Sequence, residues 1–356
     1  MEGRQWKRTA IARVGKVSYT EGMRGRVTLR DVAEAANVSV ATVSKALNDT
    51  GQLSAHTRRV VIEKAEELGY RKHKMASRHL RSGLIGLVSA DLSGRFALPM
   101  LTGAENTLGA ANHAVLLTNS RGDPKLERLH IDQMAARGVD GLLVLGSETD
   151  PRPPVRQDAL RELPVVYAYA PSNDPKDCSV ICDNVAAGAM AIRHLIDCGR
   201  RSIAVISGPE HYLATRERLK GAESAMRQAG LRFATPVRYG NWHQSWGRTA
   251  AELIMESNIG VDGIYCLNDF LARGAIDTLH GCGLDVPEDV AVVGHDNWDV
   301  VVNEGAVTIT SFDNNLQEIG RRSARLLLDI IRGNPHHGTL RIGCSLVVRG
   351  STRRIP

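Results

Sequence analysis

Between Ser39 and Asn48 the chain reads SVATVSKALN, a set of side chains suited to reading a DNA groove. Taken as a helix, Val43 and Leu47 fall four residues apart and turn inward, leaving Val40, Ala41, Thr42, Ser44 and Lys45 outward. Apart from one cation these side chains are short, as a helix that DNA must approach closely requires. Lys45 can donate to guanine O6 or N7, Thr42 and Ser44 can reach phosphates or base edges, and Val40 and Ala41 can touch a thymine methyl. The same spacing also suits any small helical hairpin.

Local signals supply the elements that would hold this helix. Thr28 with Asp31 three residues later forms a capping-box start. Val32, Ala33, Ala35 and Ala36 give a first helix a small apolar face, and Asn37-Val38-Ser39 breaks it, with Ser39 free to cap the next one. The second helix is expected from about Val40 to Leu47, followed by a turn at Asn48-Asp49-Thr50-Gly51. Ser54 then caps a third helix with apolar positions at Val60, Val61, Ile62, Ala65 and Leu68, closed by Gly69. Ser54, His56, Thr57 and Arg58 at its start can meet phosphates.

The run TLRDVAEAANVSVATVSKALN resembles the DNA-binding headpiece of the LacI/GalR family of bacterial transcription regulators. The resemblance implies that Val40, Ala41 and Lys45 read bases, with Thr28, Ser39, Thr42, Ser44, Asn48, Ser54 and Thr57 completing the DNA-facing set. A basic linker, YRKHKMASRHLRSG, occupies residues 70–83, and its portion from about Lys74 to Arg81 is similar to the family's hinge helix. That likeness implies a segment that folds on operator DNA, pairs with its dimer mate and wedges Leu80 into the minor groove, kinking the duplex. Lys72 and His73 stand where the family often has Pro-Asn, and Ser77 where it often has Ala.

Charge agrees with this division. The chain of 356 residues carries a net +6, yet residues 1–83 hold 17 Lys and Arg against 8 Asp and Glu, leaving 28 against 31 for the rest. A basic unit on a nearly neutral body is the footprint of a nucleic-acid module attached to something else. Residues 1–26 form a basic extension, read either as an arm adding phosphate contacts or, preferentially, as the product of a mis-assigned start. The headpiece is placed at 27–73, the hinge at 74–83 and a ligand-binding and dimerisation domain at 84–356. Six cysteines, none in a CxxC pair or beside ligand-spaced histidines, read as reduced packed thiols with no metal site. No apolar run approaches the roughly 20 residues that span a bilayer, and no signal-peptide core precedes the headpiece, so a cytoplasmic protein without a membrane partner is expected.

From Leu84 the pattern alternates apolar strands with amphipathic helices. Strands are expected at 84–90, 114–120, 141–146, 164–170, 203–208, 262–269 and 290–296. Continuous β-branched runs indicate parallel strands buried on both faces, and the length suits two such sheets. The expected fold is an N-terminal all-α helix-turn-helix headpiece plus an α/β periplasmic-binding-protein-like effector domain of two doubly wound lobes. The resemblance places lobe one at about 84–181 and 313–338 and lobe two at about 182–312 and 339–356.

Ligands of open α/β sheets sit beyond the carboxyl ends of the strands, which directs attention to the residues found there. Asn268-Asp269 and Asp296-Asn297 follow two strands; an ionised Asp can accept from two vicinal hydroxyls, and Asn both donates and accepts, as a polyol requires. Asp91 and Phe96 in DLSGRF match the family's acid-then-aromatic pattern, whereas Arg95 and Ala97 depart from it. Arg218, in an R-L-x-G signature, matches the family's effector-contacting arginine, whose rigid fork can bind two hydroxyls or a carboxylate. Trp242 resembles the tryptophan on which relatives stack a sugar ring. Tyr169 follows a strand, where packing and binding are both open, and Asp183 lies at the lobe crossover.

No catalytic triad, phosphate-binding loop or metal motif accompanies these residues, so an enzyme is not expected and no cofactor is implied. The expected protein is a homodimeric repressor that binds double-stranded palindromic operator DNA and is released by a small sugar effector. A nucleobase corepressor is the alternative within that architecture. A sugar-binding transport protein would share the two-lobed body but not the stretch from Val27 to Leu80. The segment Gly350–Pro356 carries no heptads, so a dimer is expected rather than a dimer of dimers.

Overall fold

The computed structural model describes residues 27–48, 51, 53–68, 82–92, 94–155 and 163–353. The extension at 1–26 and residues 74–81 of the hinge, Leu80 among them, lie outside the described residues. The chain divides into two units, 1–80 and 81–356.

Three helices make the first unit: α1 (Leu29–Ala35), α2 (Val40–Asn48) and α3 (Ala55–Glu67). Thr28 and Asp31 close a capping box in which the Asp31 amide donates to the Thr28 hydroxyl and the Thr28 amide to the Asp31 carboxylate. Those bonds hold the Asp31 carboxyl below its ordinary range. Asn37 turns left-handed at φ 51°, which a short amide side chain tolerates, and lets the chain reverse before Ser39. The Ser39 and Ser54 hydroxyls accept from the amides of Thr42 and Thr57, starting α2 and α3. Val32, Val43 and Val61 are fully buried at the centre, with Ala33, Ala36, Ala46 and Ala65 around them. Ile62 and Leu68, expected in this core, are exposed because the helix has already turned them away.

The second unit contains, in chain order, β1 (Leu84–Ser89), α4 (Ala97–Ala110), β2 (Ala114–Asn119), α5 (Pro124–Ala136), β3 (Gly141–Leu145), β4 (Val165–Ala168), β5 (Cys178–Cys182), α6 (Asn184–Asp197), β6 (Ile203–Ile206) and α7 (Leu213–Gln228). There follow α8 (Gln244–Glu256), β7 (Gly263–Cys266), α9 (Asp269–Gly281), β8 (Ala291–Val293), α10 (Asp299–Val302), β9 (Ser311–Asp313), α11 (Leu316–Ile331), β10 (Gly338–Ile342) and β11 (Ser345–Val347).

One sheet runs β10-β5-β4-β3-β1-β2, wholly parallel, and a second runs β6-β7-β8, also parallel, beside the antiparallel pair β9–β11. Strands β3, β5, β6, β7 and β8 are buried along their whole length, as continuous apolar runs require, whereas β2 lies at a sheet edge and is half exposed. The seven expected strands are present. Short strands such as β9 and β11 were not foreseen, nor was β5.

One lobe boundary shifts. Residues 339–342 belong to the first lobe, because β10 pairs with β5 in register from Gly338 with Cys178 to Ile342 with Cys182, and the last crossing into the second lobe follows Ile342. Thr339, Leu340 and Arg341 are exposed on this edge strand, so it lacks the apolar run that marks the inner strands. The chain therefore crosses between lobes next to Cys182, near Asn314 and near Cys344.

Helices α6 and α7 pack with little side chain between them. A Cβ on Gly188 would meet the Arg218 carbonyl oxygen at 1.9 Å, and one on Gly221 the Val185 carbonyl oxygen at 1.9 Å. This close approach fixes Arg218 at the lobe junction. Among the described residues no helix is long and apolar enough to cross a membrane.

Candidate functional site

The outer face of α2 is the candidate DNA-reading surface. At about 100° per residue, Val40, Ser44, Ala41 and Lys45 fall within about 140° of arc, while Val43 and Ala46 point into the core. Val40 is 45 % exposed, and Ala41 and Lys45 are exposed beside it. Thr42 sits at the edge of this face, its hydroxyl 2.9 Å from that of Ser39, and the hydroxyls of Ser54 and Thr57 are likewise 2.8 Å apart. Thr28, Ser39 and Ser54 therefore serve first as caps. Asn48 closes α2, and its side chain lies outside the described residues.

The second candidate is a cavity of about 490 Å³ at the carboxyl ends of the strands, between the lobes. Seven of the nine expected residues line it: Asp91, Phe96 and Tyr169 from the first lobe, and Arg218, Trp242, Asn268 and Asp296 from the second. A larger hollow of about 980 Å³ beside α4 and α11 shares Arg95, Phe96 and Asp296 with it. The smaller one holds the strand-end chemistry.

Asp296 is its electrostatic centre, in a left-handed turn (φ 94°) after β8. Its Oδ1 accepts from Asn314 Nδ2 at 3.0 Å and from Arg218 Nη2 at 3.4 Å, and its Oδ2 pairs with Arg95. Burial alone would raise its pKa, but Arg95, then Arg218 and His295, overcome that and leave the carboxyl below its ordinary range. Arg218 is 3 % exposed; its Nε donates to Asn184 Oδ1 at 2.9 Å and its Nη1 to the Leu267 carbonyl. Its guanidinium is thus fixed on three sides, with Asp296 as counter-ion.

Aromatic side chains form the walls. Phe96 and Tyr169 stack at 5.1 Å with 25° between planes, and Tyr212 meets Trp242 edge-on at 5.9 Å. Gly208, after β6, has no side chain to displace the indole: a Cβ there would lie 2.3 Å from Trp242. Asn268 caps α9 through Leu271 N at 2.8 Å and donates to the Trp242 carbonyl at 3.2 Å, so it holds the Trp242 backbone as well as lining the cavity.

Two expected ligand residues do something else. Asp183 caps α6, accepting from Ala186 N at 3.0 Å, and does not line the cavity. Asp269 is wholly buried behind the wall, accepting from Ser311 Oγ at 2.5 Å and Trp298 N at 2.8 Å; burial, with Asp296 adding, pushes its pKa up to about 7. It braces the turn that presents Asp296.

Arg95, set aside in the sequence as a departure, stands at the centre of the site. Its guanidinium carbon lies 4.7 Å from the Phe96 ring, 5.0 Å from Trp298 and 5.6 Å from Phe270. Other lining residues were also missed. Tyr212 donates to Glu148 at 2.9 Å, and Thr149 and Asp150 accept from the Ala214 and Leu213 amides, so a loop of the first lobe caps α7 of the second. Partners more than sixty positions apart leave no periodic trace in sequence; only the arginine beside a strand-end turn could have been read.

Among the described residues no group of three or more His, Cys, Asp or Glu side chains could hold a metal ion.

Residues 28–73 match the model of bacterial regulatory proteins of the lacI family, and residues 82–349 that of periplasmic binding proteins and the sugar-binding domain of the LacI family. The regulator CelR of Thermobifida fusca is 33 % identical over 321 residues, covering 87 % of this chain and 93 % of its own. The repressor CytR of Escherichia coli K12 is 31 % identical, covering 92 % and 97 %. Among solved structures, a CelR–cellobiose complex has a TM-score of 0.62 at 29 % identity, covering 92 % of this chain and all of its own. A lac repressor dimer bound to operator and an anti-inducer shares the fold with a TM-score of 0.64 at 24 % identity, covering 92 % and 99 %. With a helix-turn-helix in its first unit and a two-lobed cleft in its second, the chain belongs to the LacI family of bacterial transcription regulators.

Proposed function

We propose that the chain is a repressor that binds a palindromic operator as a homodimer and releases it when a small sugar or sugar derivative occupies the cleft between the lobes. The observation that carries this reading is the cavity itself, in which the Trp242 indole stands beside Arg218 and Asp296. A flat apolar face next to a fixed donor and a fixed acceptor suits a pyranose, which has an apolar face and a hydroxylated rim. CelR, solved with cellobiose, lends this weight. On the DNA side Val40, Ala41 and Lys45 read bases, Thr42, Ser44 and the caps meet phosphates, and two-fold symmetry of the protein calls for a two-fold site. Coupling is reciprocal: a sugar that weakens operator binding binds more weakly to the operator complex. The protein acts in the cytoplasm, without a membrane partner, a cofactor or chemistry of its own.

A nucleobase corepressor is the second reading, favoured by the parallel stack of Phe96 on Tyr169, which offers a surface to a planar base. Thermal-shift measurements with a panel of sugars and nucleobases, followed by DNA-binding titrations with the region upstream of its own gene, separate the two. Stabilisation by a sugar together with release of DNA supports the first reading. Stabilisation by bases alone, with tighter DNA binding, overturns it.

A further inference from the structure

The three chain crossings between the lobes converge on a cluster that does not line the effector cavity. Cys182 ends β5 at the first crossing, Asn314 lies at the second, and Cys344 follows β10 at the third. Cys182 Sγ is 3.8 Å from the Asn314 carbonyl oxygen and Cys344 Sγ is 3.6 Å from Asn314 Oδ1. The two thiols thus meet on one residue, and His295 joins the cluster through the same side chain, its Nε2 3.1 Å from Asn314 Oδ1. The strand register brings them near one another, since Ile342 pairs with Cys182 and Cys344 follows two residues later.

We propose that Cys182 and Cys344 form a thiol-oxidation site, at which hydrogen peroxide or an organic hydroperoxide joins them in a disulfide linking the first and third crossings. Cys344 is the nucleophile. The Cys182 thiol hydrogen bond does most to pull its pKa down, and His295 and Arg218 add to this against burial, while Cys182 itself is pushed up. A thiolate beside cationic or donor groups is the reactive form of cysteine. Cys344 retains 8 % exposure between the exposed Gly343 and Ser345, whereas Cys182 has none.

The Cys344 sulfur attacks one peroxide oxygen. The O–O bond breaks, the other oxygen leaves with the thiol proton, as water from hydrogen peroxide or as the alcohol from an organic hydroperoxide, and Cys344 becomes a sulfenic acid. Cys182 then attacks that sulfur, the S–O bond breaks, and the hydroxyl leaves as water carrying the Cys182 proton. Two thiols lose two electrons and the peroxide gains them.

The bond would tie two of the three hinge strands and displace Cys344 from Asn314, the residue that donates to Asp296 at 3.0 Å. The redox state of the hinge would thereby reach the effector cavity.

The test uses the full chain carrying Cys282→Ser, which removes an exposed thiol remote from both sites. After brief hydrogen peroxide treatment, the protein is alkylated in denaturant and its peptides are mapped by mass spectrometry. The expected product is one intramolecular cross-link between the Cys182 and Cys344 peptides, with a loss of two hydrogens that dithiothreitol restores. With Cys182→Ser added, dimedone should label Cys344; with Cys344→Ser added, Cys182 should stay reduced. Oxidation confined to other cysteines, or a Cys182 that reacts equally well without Cys344, overturns the proposal, and the unsubstituted pair decides even if a serine variant fails to fold.

Discussion

Arg95 of the first lobe is ion-paired with Asp296 of the second, across 201 positions of sequence, so the carboxylate's two oxygens are both engaged before any effector arrives. A sugar hydroxyl that donates to Asp296 must compete with a guanidinium wedged among Phe96, Phe270 and Trp298. Arg95→Ala is expected to tighten binding of a neutral sugar about tenfold, or ~1.4 kcal/mol, while lowering stability of the unliganded protein by about 1–3 kcal/mol through the lost charge-assisted bond. Calorimetric titration and urea unfolding read the two effects. Weaker sugar binding in the variant would instead make Arg95 a ligand contact.

Asp296→Ala removes the shared counter-ion and leaves the buried Arg218 and the partly buried Arg95 without it. A loss of about 3–5 kcal/mol is expected, larger than for Arg95→Ala, because breaking a buried pair strands its charge. If the two variants prove equally stable in urea, Arg218 does not depend on Asp296.

Asp269 gives the protein a pH dependence of opposite sign to that of Asp296. With its folded pKa near 7 and an ordinary unfolded value, the folded state holds a proton that the unfolded state releases. The stability this confers is complete below about pH 4 and is lost as pH rises toward 7, with a slope of at most about 1.4 kcal/mol per pH unit for one proton. Asp296, with its lowered pKa, loses its contribution only as pH falls below the ordinary carboxylate range. Asp269→Asn can keep both hydrogen bonds, the amide oxygen accepting from Trp298 N and the amide donating to Ser311. Urea midpoints across pH 4.5 to 7 should fall less in this variant than in the wild type; parallel curves would mean that Asp269 is ionised throughout.

These contrasts show what the sequence could and could not reveal. Asp296 was legible because strand ends in open α/β sheets face the cleft and its chemistry suits a polyol, whereas Arg218, inside α7, and Trp242 were legible through the resemblance to the family. Asn268 and Asp269 are neighbours, yet one residue further into α9 the side chain turns inward, and a 3.6-residue period cannot say which of the two faces the ligand. Asp183 shows a related ambiguity, since the acceptor that suits a ligand also suits a helix N-terminus. Arg95 escaped because its meaning lies in Asp296, which no local pattern connects to it. The headpiece read more completely: its caps, turn and core are all set within a few residues of one another.

Gly188 tests how Arg218 is held. A methyl there would overlap the Arg218 carbonyl oxygen at 1.9 Å and force α6 and α7 apart. Gly188→Ala is expected to cost about 3 kcal/mol of stability by overpacking and to weaken effector binding, with operator affinity in the absence of effector changing far less. Urea unfolding and paired titrations measure both. A variant of wild-type stability would mean that the two helices can separate without moving the site.

Lys45 is the sharpest test of the reading helix. It is the one cation on the outward face of α2, set beside short side chains that let bases come close. If its ammonium donates to a guanine edge, Lys45→Ala should weaken operator binding by about 1–3 kcal/mol and relax the preference at one base pair per half-site, with little change on random DNA. A phosphate contact behaves differently, because its loss weakens all sequences alike and lowers the salt slope by about one ion. Anisotropy titrations on operator and random duplexes at several salt concentrations distinguish the two, and equal losses on both duplexes would leave base reading to Val40 and Ala41.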